Sequence, residues 1–122
     1  MAHPLHHAQS TARKWGGKPE DYQDIHDWFD ATKAHYADFR HRALRHHSEG
    51  IFECERKFGP SVMNSEGTLV PVRIIGEQHV KEDCGWIPTI KDWLENITAQ
   101  PWMHRPEKLN RQPVSETESC PK

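Results

Sequence analysis

Ten of the 122 residues are histidines, spread along the chain and not gathered into a tag-like run. Imidazole has its ordinary pKa near neutrality, so each is a candidate metal ligand, acid or base. The most useful spacing is that of His79 and Asp83, within Glu77-Gln78-His79-Val80-Lys81-Glu82-Asp83. One helical turn apart, imidazole and carboxylate point the same way and can chelate one divalent transition metal, as i, i+4 histidine pairs do in zinc enzymes. The competing reading is a solvated helix face with a local His-Asp hydrogen bond. Glu82, beside the pair, is a candidate general base.

A mononuclear site needs ligands from another segment, and the stretch from Tyr22 to Phe58 offers them. Tyr22, Ile25, Phe29, Thr32, Tyr36, Phe39, Ala43, His47, Gly50, Cys54 and Phe58 follow one another at steps of three or four, the period of a buried helical face. On that wheel His35, Asp38, Arg42, His46 and Glu49 share one polar flank beside the apolar stripe. His46 is the better-placed ligand, with His35 as a further ligand or a supporting group. The two are roughly 16 Å apart along a straight helix, so they cannot hold one ion unless the helix breaks between them. Asp38 has two uses, chelation with His35 or an i, i+4 salt bridge to Arg42, and the salt bridge is favoured. His47 lies within the stripe, where a buried histidine bonded to a carbonyl is the ordinary reading. His3 and His7 share a helix face that reads as solvent-exposed. His6, His26, His41 and His104 have no partner at ligand spacing.

The elements carrying these residues are mostly helical. A helix opens the chain, with Pro4 in its first turn, Leu5, Ala8, Ala12 and Trp15 as its stripe, and Gly16-Gly17 as its stop. Pro19-Glu20-Asp21 starts the next, its acids set against the positive end of the dipole. One helix from Tyr22 to Phe58 would be long for a small domain, so a break is expected near Ala31 to Lys33, at Gly50, or at both. Gly59-Pro60 ends the helical region. Residues 61–75 read as a hairpin around Asn64-Ser65-Glu66-Gly67, with Pro71 marking an edge. A short helix is expected from Gly76 to Cys84 and another behind a Thr89/Asp92 capping box, with Ile90, Trp93, Leu94 and Ile97 as its face. The fold class is therefore α+β: a mainly helical single domain over residues 1–103 with one hairpin, followed by a Pro-, Glu-, Ser- and Lys-rich flexible tail over 104–122.

Composition narrows the function classes. Sixteen basic against eighteen acidic residues give a formal charge of -2, which supplies no broad positive field for general nucleic-acid binding. No apolar run reaches the roughly 20 residues of a membrane helix, and the opening residues lack the pattern of a secretory signal, so a cytoplasmic protein is expected. Cys54, Cys84 and Cys120 are too far apart for a thiolate knuckle and read as reduced thiols. A mean hydropathy of -0.93 implies a thin core. There is no glycine-rich phosphate loop, no H-E-x-x-H and no G-x-S-x-G.

Two resemblances bear on the site. His26-Asp27 spells the dipeptide of the HD phosphohydrolases, and His7, His26-Asp27 and Asp83 follow the order of that family's metal ligands, a likeness of order and not of spacing. It implies a metal-bound water attacking phosphorus; the plainer reading is an amphipathic helix with surface charges. The second is wider. Lys18-Pro19-Glu20-Asp21-Tyr22, Ile25-His26-Asp27, Ala34-His35, Asp38-Phe39-Arg40-His41-Arg42-Ala43, His46, Gly50-Ile51 and Phe58-Gly59 belong to it. So do Asn64-Ser65-Glu66-Gly67, Val72-Arg73, Glu77-Gln78-His79-Val80, Glu82-Asp83, Ile87-Pro88-Thr89 and Asp92-Trp93-Leu94. Over roughly the first hundred residues this pattern resembles a family of short uncharacterised phage and bacterial proteins, a domain of unknown function. The resemblance implies that His35, His41, His46, His79 and Asp83 belong to the family pattern, and it implies no activity. It carries an amide-bearing residue where this chain has His47.

The leading expectation is a small metal-binding protein, with His46, His79, Asp83 and His35 at the metal, Glu82 as base, and hydrolysis of phosphate esters or nucleotides as its reaction. Zinc is the default ion, and manganese, iron or nickel also fit imidazole with carboxylate. The alternative is a noncatalytic accessory protein that binds a macromolecule or a small signal molecule, with Trp86 and Trp102 as aromatic anchors. A third use of the histidines is pH sensing or a self-assembling interface, so a homo-oligomer is among the expectations.

Overall fold

The first helix, α1 (Pro4–Trp15), begins where proline costs no hydrogen bond, and the His3 ring caps it by accepting from Leu5 N at 3.1 Å. This comes from a computed structural model, which describes residues 3–104. A 3-10 turn at Pro19–Asp21 leads into α2 (Gln23–Asp30), and a further turn at Ala31–Ala34 and a 3-10 stretch at Phe39–Leu44 lead to α3 (Ser48–Phe58). Strands β1 (Ser61–Met63) and β2 (Leu69–Pro71) pair antiparallel, with Val62 opposite Val70. The chain passes directly from β2 into α4 (Val72–Cys84) and ends its described part with α5 (Ile90–Leu94) and a 3-10 turn at Pro101–Met103. This is the mainly helical α+β arrangement with a single two-stranded hairpin among the described residues. The expected tail lies outside them, His104 excepted. Among the described residues no helix is long and apolar enough to cross a membrane.

The long stripe is interrupted near Ala31 to Lys33, as its length demanded, but not at Gly50, which lies inside α3. There the Arg45 carbonyl presses so close that any Cβ would collide with it. Glycine at 50 therefore lets the chain fold back onto the start of α3, where His47 acts as N-cap and its Nδ1 accepts from Gly50 N at 2.9 Å. Because residues 31–47 are not α-helical, the wheel loses its phase there. Tyr36 and Phe39 are exposed, while His41, off the stripe, is buried. The polar flank dissolves for the same reason: Asp38 pairs with Arg40 at 2.6 Å and not with Arg42.

Helix α4 starts four residues earlier than the periodicity implied, because Pro71 fixes the φ of its N-cap at -66° and sends the strand straight into a helix. Gly76 is then internal. A Cβ there would meet Phe29 at 3.2 Å and Ile51 at 3.3 Å, so the missing side chain lets α4 lie close on α2 and α3 and puts His79 one turn further along the same contact. The Thr89/Asp92 capping box forms as expected, and the Trp93 indole of α5 donates to the His46 carbonyl at 2.9 Å. Asp21 ties the hairpin turn to the helical layer by accepting from Ser65 N and Oγ.

Tyr22, Ile25, Phe29, Ile51, Cys54, Val70, Val72, Ile75 and Val80 form the apolar core. The rest of the interior is polar to an unusual degree. His7, His26, His41, His46, His47 and His79 are each no more than 2% exposed. Burying that much imidazole is unfavourable unless every nitrogen finds a partner, so the question becomes what these rings face.

Candidate metal centre

Four of the six buried rings and two carboxylates converge where α1, α2 and α4 meet the segment before α3. Helix α4 supplies His79 and Asp83 on one face, α2 supplies His26 and Asp30, α1 supplies His7, and His46 enters from the turn ahead of α3. The His46 Nε2 atom lies 3.0 Å from Asp83 Oδ2 and 3.6 Å from Asp30 Oδ1. His79 Nε2 lies 3.2 Å from Asp83 Oδ2 and 3.5 Å from Asp30 Oδ1. His7 Nε2 approaches the other oxygen of Asp83 at 3.1 Å. One ligand atom each from His7, Asp30, His79 and Asp83 all fall within 4.8 Å of one another, so this buried cluster could hold a metal ion.

Hydrogen bonding alone leaves the cluster incomplete. Among the described residues His79 Nε2, Asp30 Oδ2 and His46 Nδ1 are buried with no hydrogen-bond partner, and each such atom costs about 1–3 kcal/mol. His79 Nε2 lies within 3.5 Å of two carboxylates yet makes a well-formed hydrogen bond to neither. An ion at that point would meet a coherent set of outer groups. Glu82 Oε1 is 2.7 Å from His7 Nδ1, and its other oxygen accepts from Ser10 Oγ. That is the carboxylate-histidine arrangement that fixes a ring with Nε2 presented to a metal. His79 Nδ1 meets His26 Nδ1 at 2.9 Å, and His26 Nε2 meets Thr11 Oγ1 at 2.9 Å. Thr11 donates in turn to Gln78 Oε1, and Gln78 Nε2 donates to the His7 carbonyl. A metal on His79 Nε2 would set the order of donors: His79 Nδ1–H to His26, His26 Nε2–H to Thr11, Thr11 O–H to Gln78.

The charges agree with that order. Burial pulls His26 down to about 2, assisted by the neighbouring His79 and His7 rings, so it is neutral. Burial also takes His46 down to about 4 against the pull of Asp83. For Asp83 burial favours the neutral acid, but the bonds from His46 and His7 and the nearby His79 ring outweigh it and hold the carboxyl far below its ordinary value. Asp30 is lowered in the same way, burial being outweighed by His79. In His7 burial opposes protonation, and the bonds to Asp83 and Glu82 overcome it. Two ionised carboxylates beside the neutral His26 and His46 rings give the pocket a negative charge that a divalent cation on Asp30 and Asp83 would balance, displacing the proton that His7 otherwise holds against Asp83.

Of the residues singled out from the sequence, His46, His79 and Asp83 come together. His35 does not: it is exposed beyond the Ala31–Ala34 turn. Glu82 is at the site, but it faces His7. The expectation that His7 is solvent-exposed is overturned by its complete burial, since α1 packs that face on α4. In the HD-like order His26 is internal while Asp27 is exposed and accepts from Gln23, so Asp30, one turn after His26, is the inward carboxylate. Sequence reasoning missed Asp30 and reached His26 only through the HD-like order, paired with Asp27, although His26-x-x-x-Asp30 repeats the spacing of His79-x-x-x-Asp83.

On one side the centre borders an open cleft of about 390 Å³ lined by Arg42, Asp83, Cys84, Trp86, Pro88, Asp92, Trp93 and Asn96. No curated protein and no solved structure matches the chain. A family model does, over residues 2–103, a span that takes in every ligand candidate and both tryptophans of the cleft: the chain belongs to the family described as a domain of unknown function (DUF6915).

Proposed function

We propose that this protein binds one divalent transition metal through Asp30, His46, His79 and Asp83, with His7 as a fifth ligand held by Glu82. The observation that carries this reading is the spacing of the four converging atoms, 3.0–3.6 Å between each imidazole nitrogen and each carboxylate oxygen. Ligands about 2.0–2.1 Å from a tetrahedral zinc are about 3.3 Å from one another. Zinc is the ion proposed, since imidazole with carboxylate suits it; manganese, iron and nickel accept the same donors. The proposed reaction class is hydrolysis of phosphate esters or nucleotides. A metal in such a site lowers the pKa of bound water, and the cleft beside Asp83 and Arg42 gives an anionic ester a place to lie. Glu82, with both oxygens engaged, supports His7 in this reading and is not the base. We place the protein in a reducing cytoplasm, where Cys54 and Cys84, both free, stay thiols.

One observation favours a second reading. The ligand side chains are almost fully buried, with that of Asp30 the most exposed at 6%, as in a structural site, and Trp86 and Trp102 stand exposed for a partner. A noncatalytic accessory protein with a structural ion would look the same at the ligands. The test is metal content by mass spectrometry on untagged protein, for the native chain and for His79→Ala, Asp83→Ala and His35→Ala, followed by phosphatase and nucleotidase assays on the loaded form. Near-stoichiometric metal that is lost in the first two variants and kept in the third supports the centre. A native chain that stays metal-free after reconstitution with all four ions refutes it. A loaded chain inert to every ester leaves the structural reading.

A further inference from the structure

The cleft beside the centre contains one cation with unfinished bonding. Arg42 is 14% exposed at its side chain; its Nη1 donates to the Asp83 carbonyl at 3.2 Å, and its Nη2 stands 3.7 Å from Asp83 Oδ1, too far for a hydrogen bond. Its Nε is buried with no partner among the described residues. Guanidinium is a planar fork made for two-pronged bonding to a carboxylate or phosphate, and in this protein it is held half-used against a carboxylate already committed to three histidines. Two indoles, Trp86 and Trp93, also line the cleft. Trp93 is fixed by its bond to the His46 carbonyl, and Trp86 is 55% exposed, so a flat ligand in the cleft can reach it. A volume of about 390 Å³ lies within the range of small-molecule sites.

We infer that this cleft binds a small phosphoryl anion carrying a flat ring, its anionic oxygens on the Arg42 guanidinium and its ring against Trp86 and Trp93, and that metal at the neighbouring centre strengthens the binding. This names the ligand class of the proposed site and rests on that reading. The coupling follows from charge. In the metal-free protein the nearest counter-charge of Arg42 is Asp83, while a divalent cation on Asp83 shares that charge and leaves the guanidinium to attract an anion from the cleft. By linkage the anion tightens the metal by the same factor. The cleft opens onto Asp83 and Cys84 at the end of α4, so a phosphoryl group on Arg42 lies at the edge of the metal centre.

Phenylphosphonate is a suitable probe, because its carbon–phosphorus bond resists ester hydrolysis, and methylphosphonate is the same anion without the ring. Each is titrated into zinc-loaded and metal-free protein of known metal content, with heat and the tryptophan indole N–H shifts as readouts. In the loaded native chain phenylphosphonate should bind saturably and move the Trp86 and Trp93 signals. Metal-free protein should bind it at least about fivefold more weakly. Arg42→Gln should keep its zinc and weaken both probes about tenfold or more. Trp86→Ala, at an exposed position, should weaken phenylphosphonate and leave methylphosphonate unchanged. A zinc-loaded native chain with no saturable binding, or an Arg42→Gln variant that binds equally well, overturns the inference while the metal centre stands. A native chain that takes up no metal overturns the centre itself, and this inference with it.

Discussion

Asp30 gives the sharpest test of the centre, because nothing in the sequence except its distance from His26 distinguishes it from its neighbour Asp27. Asp30→Asn keeps the shape of the side chain and removes one charge and one good ligand. Two unit charges 4 Å apart at an effective dielectric of 20 interact by about 4 kcal/mol, and a divalent ion doubles that. If the amide carbonyl and a retained water recover half, about 4 kcal/mol is lost, a factor of about 10³ in affinity. The thermal consequence follows directly. With free zinc at a hundred times its dissociation constant the native fold gains about 2.7 kcal/mol, whereas a thousandfold weaker site gains less than about 0.1 kcal/mol. For a domain of this size the native gain is roughly 10–20 °C in Tm, and the variant's shift is too small to see. Metal-free Asp30→Asn should itself unfold somewhat earlier than the metal-free native chain, since burial is outweighed at Asp30 by the neighbouring His79 and His46 rings, which favour its charge, so each variant is compared with and without zinc against its own metal-free form. Scanning calorimetry with and without zinc reads all of this. Asp27→Asn, at an exposed position, is the control and should keep the full gain. The reasoning is refuted if Asp30→Asn is stabilised by zinc as much as the native chain, or if Asp27→Asn is the variant that loses the effect.

Two further outcomes follow from the geometry. Glu82→Gln removes the charge that orients the His7 ring at 2.7 Å and should weaken metal binding about ten- to a hundredfold with the fold intact, measured by competition against a chromophoric chelator; unchanged affinity would mean His7 is no ligand. Gly50→Ala puts a Cβ into the Arg45 carbonyl and should destabilise the chain by about 1–3 kcal/mol or more in urea unfolding, and an effect within about 0.5 kcal/mol would show that the turn ahead of α3 gives way at no cost.

What could be read in the sequence was local. The helix starts at Pro4 and Thr89, the hairpin around Asn64 to Gly67, the stops at Gly16 and Gly59 and the α4 pair His79/Asp83 each depend on residues within a turn of one another, where stereochemistry decides. The stripe from Tyr22 placed Ile25, Phe29, Gly50 and Cys54 in the interior correctly. It failed at Tyr36 and Phe39 because a 3-10 stretch advances by about 120° per residue and not 100°, so a wheel carried through residues 31–47 loses its phase. His35 was assigned to the site on that wheel and lies outside the cluster. His7 was read as surface for a different reason: a histidine on a mixed helix face gives no sign of which neighbour covers it, and here the covering helix is α4, more than sixty residues away in the sequence.

Fold and site share one interior here. Nine apolar residues make the core cluster, and four buried histidines fill the space beside it that aliphatic side chains would otherwise occupy. Without an ion, the protein carries the cost of a buried His79 Nε2 that no hydrogen bond satisfies; with one, that atom and Asp30 Oδ1 gain a partner from inside the core, and the helices that supply them are fastened together. The stability gained from metal should therefore be large whether or not the protein is an enzyme, and loss of stability on mutating a ligand cannot separate the two roles. Arg42 can. It is absent from the proposed ligand set, its guanidinium contributes nothing to the core cluster, and the cleft it faces has no use in a purely structural site.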